Sequence, residues 1–207
     1  MTTTTRHTTV KIDIKVDIKR ALRKLDIAAK QIPFATALAL SKTAAQAQRD
    51  VTAELPRIFD RPNPFTQRAI GYQRASKANL TAMVFVRPKQ AEYLRRQITG
   101  GTRLPRGRGL ALPADVPLDQ FGNVRRAWLR QVRNRRDVFS GTVGGVAGLW
   151  QRTGKGGARG LKLLLAYEAK AEYSPRFDFA SLVKQSVQRH LQRNVREAVA
   201  QAMRTAR

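Results

Sequence analysis

The stretch Phe59-Asp60-Arg61-Pro62-Asn63-Pro64-Phe65-Thr66 limits what this chain can fold into more than any other. Two prolines one residue apart fix φ twice, remove two backbone donors and push Arg61 and Asn63 towards extended geometry. Neither a helix nor a central strand can run through such a segment. It therefore marks a shaped corner between a helix-rich part and a strand-rich part. Phe59 and Phe65 flank the rigid residues and can anchor them on a core, and Thr66 can cap a helical turn beginning at Gln67.

Hydrophobic spacing on either side fits that division. Val10, Ile12, Ile14, Val16 and Ile18 alternate with charged residues, the pattern of a half-buried strand, and Leu22, Leu25 and Ala29 then recur at helical intervals. Pro33 kinks that helix or starts a second one. Leu40, Ala44, Ala47, Val51 and Leu55 form one narrow alanine-rich stripe, which predicts a helix from Phe34 to about Leu55 that Pro56 ends. Leu80–Val86 is apolar on both faces and belongs inside a sheet. Gln90–Ile98 reads as a short helix stopped by Gly100-Gly101.

Further on, prolines, glycines and arginines break every period from Thr102 to Asn123. This predicts a long basic surface loop with a short strand at Leu110–Leu112, and loops of that length usually carry function or stay disordered. Val124–Val132 reads as a helix, Val138–Val143 as a strand, Gly144-Gly145 and Gly148 as a turn, and Leu161–Tyr173 as one long strand, with a helix as the alternative that its alanines and Glu-Lys pairs leave open. Gly154–Gly160 reads as a basic hairpin loop. Asp178 can cap a last helix whose side Val183, Val187, Leu191, Val195, Val199 and Met203 covers the sheet. The expected class is α+β: an N-terminal strand and helices packed on an antiparallel sheet, a long C-terminal helix and the basic loop. Residues 1–8 read as a flexible polar arm and 9–207 as a single domain.

The corner, Asn79-Leu80 before the apolar strand, Gln90-Ala91-Glu92-Tyr93-Leu94, Gln97-Ile98 and Gly100-Gly101 together resemble tailed-phage and prophage minor tail proteins of the protein Z or tail-completion type. The likeness spans Ile32 to Asn123. The order of elements also resembles small phage neck and tail-completion proteins. The resemblance implies a structural virion protein of the tail or neck, made in the host bacterial cytoplasm. It would join other tail, neck or portal proteins in a homo-oligomeric ring.

Charge narrows the partners. Lys plus Arg number 40 against 14 Asp plus Glu, a formal charge of +26. A surface so basic repels itself unless phosphates, acidic protein or anionic lipid compensate it. No apolar run approaches the roughly 20 residues of a membrane span. The expected partner-binding residues are Phe59, Asp60, Arg61, Pro62, Pro64 and Phe65 at the corner, Arg103, Arg106 and Arg108 in the loop, and Arg125, Arg126, Arg130 and Arg133 on the following helix. Guanidinium groups suit both carboxylates and phosphates, so acidic protein rings and phage DNA remain open as their partners.

Catalytic patterns are sparse. The chain has no cysteine and only His7 and His190, which leaves no cluster for zinc and no Ser-His-Asp arrangement legible in the sequence. Gly148–Lys155 resembles a phosphate loop, but five residues separate Gly148 from Gly154 and glycine follows Lys155. No catalytic, cofactor or metal residue is assigned. Two other readings stand beside the structural one: a DNA-binding regulator, and a metal-dependent nuclease in which strand alternation would set Glu168 and Lys170 on one face with Asp137 nearby.

Overall fold

A computed structural model of the chain describes residues 10–15, 31–105, 107, 109–154 and 160–205. The expected arm at 1–8, the helical interval after Ile18, the side chains of Arg106 and Arg108 and the basic turn at 155–159 lie outside the described residues. The architecture is α+β with antiparallel sheets and a long C-terminal helix. In chain order the elements are β1 (Lys11–Ile14), α1 (Ile32–Ile58), α2 (Pro64–Gln67), β2 (Ile70–Gln73), β3 (Ala82–Val86), α3 (Pro88–Thr99), β4 (Gly101–Arg103) and β5 (Leu110–Pro113). There follow α4 (Arg126–Arg133), β6 (Val138–Val143), β7 (Val146–Thr153), β8 (Gly160–Glu168), β9 (Ala171–Tyr173) and α5 (Phe179–Thr205). They form two compact units, one from the chain up to Ile98 and from Pro175 onward, the other from Thr99 to Ser174.

In the first unit β3 lies between β1 and β2, antiparallel to both. A central strand buries both faces, which is why its sequence is apolar throughout: Ala82, Val84 and Val86 are fully buried, and Met83 and Phe85 half-buried. Helix α1 lies against β2 and β3, and its expected stripe of Leu40, Ala44, Ala47, Val51 and Leu55 is completely buried. Pro33 sits in its first turn, where the missing N–H costs nothing. The helix continues past Pro56, contrary to the expected stop. Proline removes one donor, and the next turn still closes, with Phe59 N–H donating to Leu55 O at 2.9 Å.

Helix α5 begins as expected, with Asp178 Oδ1 accepting from Ser181 N–H at 3.0 Å. It packs along α1 instead of covering the sheet. Phe179 and Val183 enter the main core, whereas Ala198, Val199 and Ala202 meet Ala35 and Ala39. The expected stripe is also displaced. A strict four-residue repeat advances roughly 40° per step, so Met203 comes round to nearly the opposite side from Val183, and it is 57% exposed. The true seam includes the buried polar residues Ser186 and Asn194.

The second unit is a four-stranded antiparallel sheet in the order β5-β8-β7-β6, with α4 contributing Val132 to a core of Leu149, Leu164 and Leu165. Gly144 and Gly145, both at positive φ (57° and 82°), close the β6–β7 hairpin in the manner of a two-residue type I′ turn. Gly148 belongs to β7 and not to that turn. The interval 102–123 is not one loop: β4 pairs with β9, β5 pairs with β8, and Leu118 bridges Val124. These are short edge pairings with little buried side chain, so they leave no apolar period in the sequence. The strand expected from Leu161 to Tyr173 breaks after Glu168 into β8 and β9. Among the described residues no helix is long and apolar enough to cross a membrane.

Candidate functional site

The corner is built from both sides of its two prolines. Phe59 is buried, its ring meeting Phe177 edge-on at 5.7 Å, and Phe177 meets Phe179 the same way at 5.9 Å. The Arg176 guanidinium stands over Phe59 at 5.1 Å, and its Nε donates to Gln97 Oε1 at 2.6 Å. Gln97 O accepts the backbone N–H groups of Arg176 and Phe177, both at 2.9 Å. One end of the corner is thereby fixed to the core, as the sequence leads one to expect of Phe59.

The other end differs from expectation in three ways. Arg61 has φ of 42°, in the left-handed region and not extended. The residue before a proline is kept out of the right-handed helical region, and the left-handed one lets the chain reverse so that Pro62 is buried. Thr66 is not the cap: Asn63 Oδ1 accepts from Thr66 N–H at 2.8 Å and from Thr66 Oγ1 at 3.1 Å, and Pro64 takes the first helical position. Phe65 does not enter the core. It is 46% exposed and stacks on Tyr93, 38% exposed, with ring centroids 6.3 Å apart.

That aromatic pair is held from beneath. Gln90 Nε2 donates to Phe65 O at 3.0 Å, Gln67 Nε2 donates to Pro62 O at 2.9 Å, and Thr66 Oγ1 shares a hydrogen bond with Tyr93 Oη at 3.0 Å. Burial pushes the Tyr93 hydroxyl up, with the Thr66 hydrogen bond partly opposing it. Asp60 pairs with Arg61 at 3.1 Å on the open surface, a contact worth at most about 1 kcal/mol. Gln90, Tyr93 and Gln97 were legible as parts of the family-like pattern, but nothing in their spacing says that they close on the corner.

The arginines fall into separate groups. Arg103 is exposed on β4, in a strand instead of a loop. Arg125 is the N-cap residue of α4, with no side-chain capping bond, and its charge helps to hold the Asp119 carboxyl below its ordinary range after backbone hydrogen bonding at Asn123. Arg126, Arg130 and Arg133, with Leu129, line one open depression of about 420 Å³.

Catalytic geometries take different shapes from those imagined. Gly148–Thr153 is strand, so the phosphate-loop-like segment lacks the turn into a helix that such loops need. Glu168 ends β8, and Lys170 lies beyond it, paired with Glu172 at 2.9 Å, so the two do not share a strand face. Asp137 is held by Arg135 at 2.6 Å and by Gln151 at 2.9 Å. Among the described residues no three His, Asp or Glu side chains converge to hold a metal ion. Ser186 and His190 do meet an aspartate, but both address Asp50 Oδ2, at 2.6 and 2.9 Å. The histidine therefore does not receive the serine proton, and Ser186 is buried.

Compared with protein-family models, curated proteins and solved structures, the chain matches none.

Proposed function

We propose that this chain is a non-enzymatic structural subunit of a tailed-phage particle or prophage-derived tail, working at the head-to-tail junction or in tail completion. Its corner docks a neighbouring tail, neck or portal subunit, or a second copy within a ring. One observation carries the reading. The sequence blocks that resemble minor tail proteins lie far apart along the chain, yet Phe65 and Thr66 meet Gln90 and Tyr93, and Phe59 and Gln97 share Arg176 as a partner. Such a surface has what a protein interface asks for: exposed aromatic rings as anchors, a backbone already rigid, and charges such as Asp60 at the rim. Preorganisation matters because it reduces the entropy lost on docking.

Quantitative mass spectrometry of purified, nuclease-treated particles from the producing cells tests the proposal. The expected result is this chain at a fixed small copy number, retained in isolated tails or necks. Absence from particles, with the chain bound to DNA in the lysate, would overturn it in favour of a DNA-binding regulator. The arginine-lined depression on α4 is the observation that favours that second reading.

A further inference from the structure

Helix α4 has a charge distribution that its own unit does not explain. Arg126, Arg130 and Arg133 stand at positions i, i+4 and i+7, within an arc of roughly 60° and along roughly 10 Å of helix. Like charges at this spacing repel, each pair costing a few tenths of a kcal/mol. Arg130 and Arg133 at least complement the negative C-terminal end of the helix dipole. Arg126 opposes the positive N-terminal end, and the first turn holds no acidic residue.

Three other cations of the unit have partners: Arg135 pairs with Asp137, Lys162 with Asp115 at 2.8 Å, and Arg152 lies over the Phe139 ring at 4.3 Å. None of the three stripe arginines has a carboxylate partner among the described residues, and no carboxylate lines their depression. The apolar side of the helix is already used, with Val132 buried and Trp128 and Leu129 packed on the same core.

From this we infer that the face formed by Arg126, Arg130 and Arg133 is a track for the phosphodiester backbone of DNA. An acidic protein would supply the charge too, but a protein interface centres on apolar or aromatic anchors. Here those side chains point into the unit's own core, leaving only half-buried Leu129 as a floor. A row of phosphates needs no such anchor. It needs guanidinium forks at intervals of a few ångströms, and contacts of that kind carry no sequence information. The face can bind DNA whether or not the chain sits in a particle.

The test is fluorescence anisotropy of the full chain with a short labelled DNA duplex of mixed sequence, across about 50 to 200 mM salt. Each phosphate contact contributes roughly 0.9 to the slope of log K against log salt, so the variant R126Q/R130Q/R133Q should lose about 2 to 3 units of slope. The lysine variant R126K/R130K/R133K keeps the charge and should keep the slope. A control with the same charge loss on the first unit, R74Q/R87Q/K89Q, should lose less than about 1 unit. Equal losses in the two glutamine variants would overturn the inference, because binding would then follow overall charge. So would an unchanged slope in R126Q/R130Q/R133Q with its circular dichroism intact. Displacement of the duplex from this face by polyglutamate at lower charge concentration than by unlabelled duplex would assign the face to acidic protein instead.

Discussion

Ser186 donates its hydroxyl to Asp50 Oδ2 at 2.6 Å, across the seam where α5 runs antiparallel to α1. His190 Nε2 reaches the same oxygen at 2.9 Å, and Gln46 Nε2 donates to the other at 3.0 Å. Two turns along, Asn194 Nδ2 donates to Thr43 Oγ1 at 3.0 Å, and Thr43 Oγ1 donates to Ala39 O at 2.8 Å. Lys42 and Glu197 pair beyond it at 3.2 Å. Alanine surfaces such as Ala35, Ala39, Ala198 and Ala202 can slide past one another. The polar rungs cannot, since a slip of one turn would leave buried donors without acceptors.

Asp50→Ala should therefore destabilise the protein by about 2 to 3 kcal/mol, through loss of charge-assisted bonds and an orphaned Ser186 hydroxyl. Lys42→Gln, which breaks only an exposed pair, should stay within about 0.5 kcal/mol of wild type. Urea unfolding measures both. Equal effects would mean that the rungs contribute no more than surface charge.

The same rung makes stability depend on pH. Burial alone would raise the Asp50 carboxyl, but hydrogen bonds from Ser186, Gln46 and His190 outweigh it and hold it below its ordinary value. A depressed folded value contributes stability that is fully present above the unfolded value of about 3.9 and lost as pH falls through the folded one. Asp50→Asn removes this contribution. The stability gap between wild type and Asp50→Asn should be widest near neutrality and close below about pH 4. A gap of constant size down to pH 3 would contradict the ionic character of the rung.

The two phenylalanines that bracket the corner should part company. Phe59→Ala opens a cavity beside Phe177 and should cost about 3 to 5 kcal/mol. Phe65→Ala, on a side chain 46% exposed, should cost less than about 1 kcal/mol yet abolish incorporation into particles. Thermal unfolding and particle mass spectrometry separate the two effects. Normal incorporation of a folded Phe65→Ala chain would remove the docking role of the corner.

Much of this fold was legible because apolar periods are strong where packing is apolar: the α1 stripe, the central β3 and the Asp178 cap follow from residue order alone. The α5 seam was misplaced because its positions 186, 190 and 194 are polar, and a reading that follows valine and leucine passes over them. Backbone shape was hidden for another reason. That Arg61 is left-handed, and that Asn63 caps in place of Thr66, depends on where the chain must go next, which local preference does not encode. The arginines of α4 were visible as a basic helix, but which of them share one depression, and that none of these has an acidic partner among the described residues, needed the fold.

Gly148 offers a sharp check on the second unit. Read as a turn residue it would tolerate alanine, but in β7 it faces β8, where a Cβ would press into the Leu165 carbonyl oxygen and come within 2.7 Å of Leu163 Cδ1. A carbonyl in a sheet cannot move aside as a flexible side chain does, so the strands must shift, at a cost of about 1 to 3 kcal/mol. Gly145→Ala meets no atom within 4 Å and suffers only from its φ of 82°, a cost of roughly 1 kcal/mol. Hydrogen exchange of the β7 and β8 amides should therefore accelerate more in Gly148→Ala than in Gly145→Ala. The reverse order would place Gly148 outside the sheet and break the register between β7 and β8.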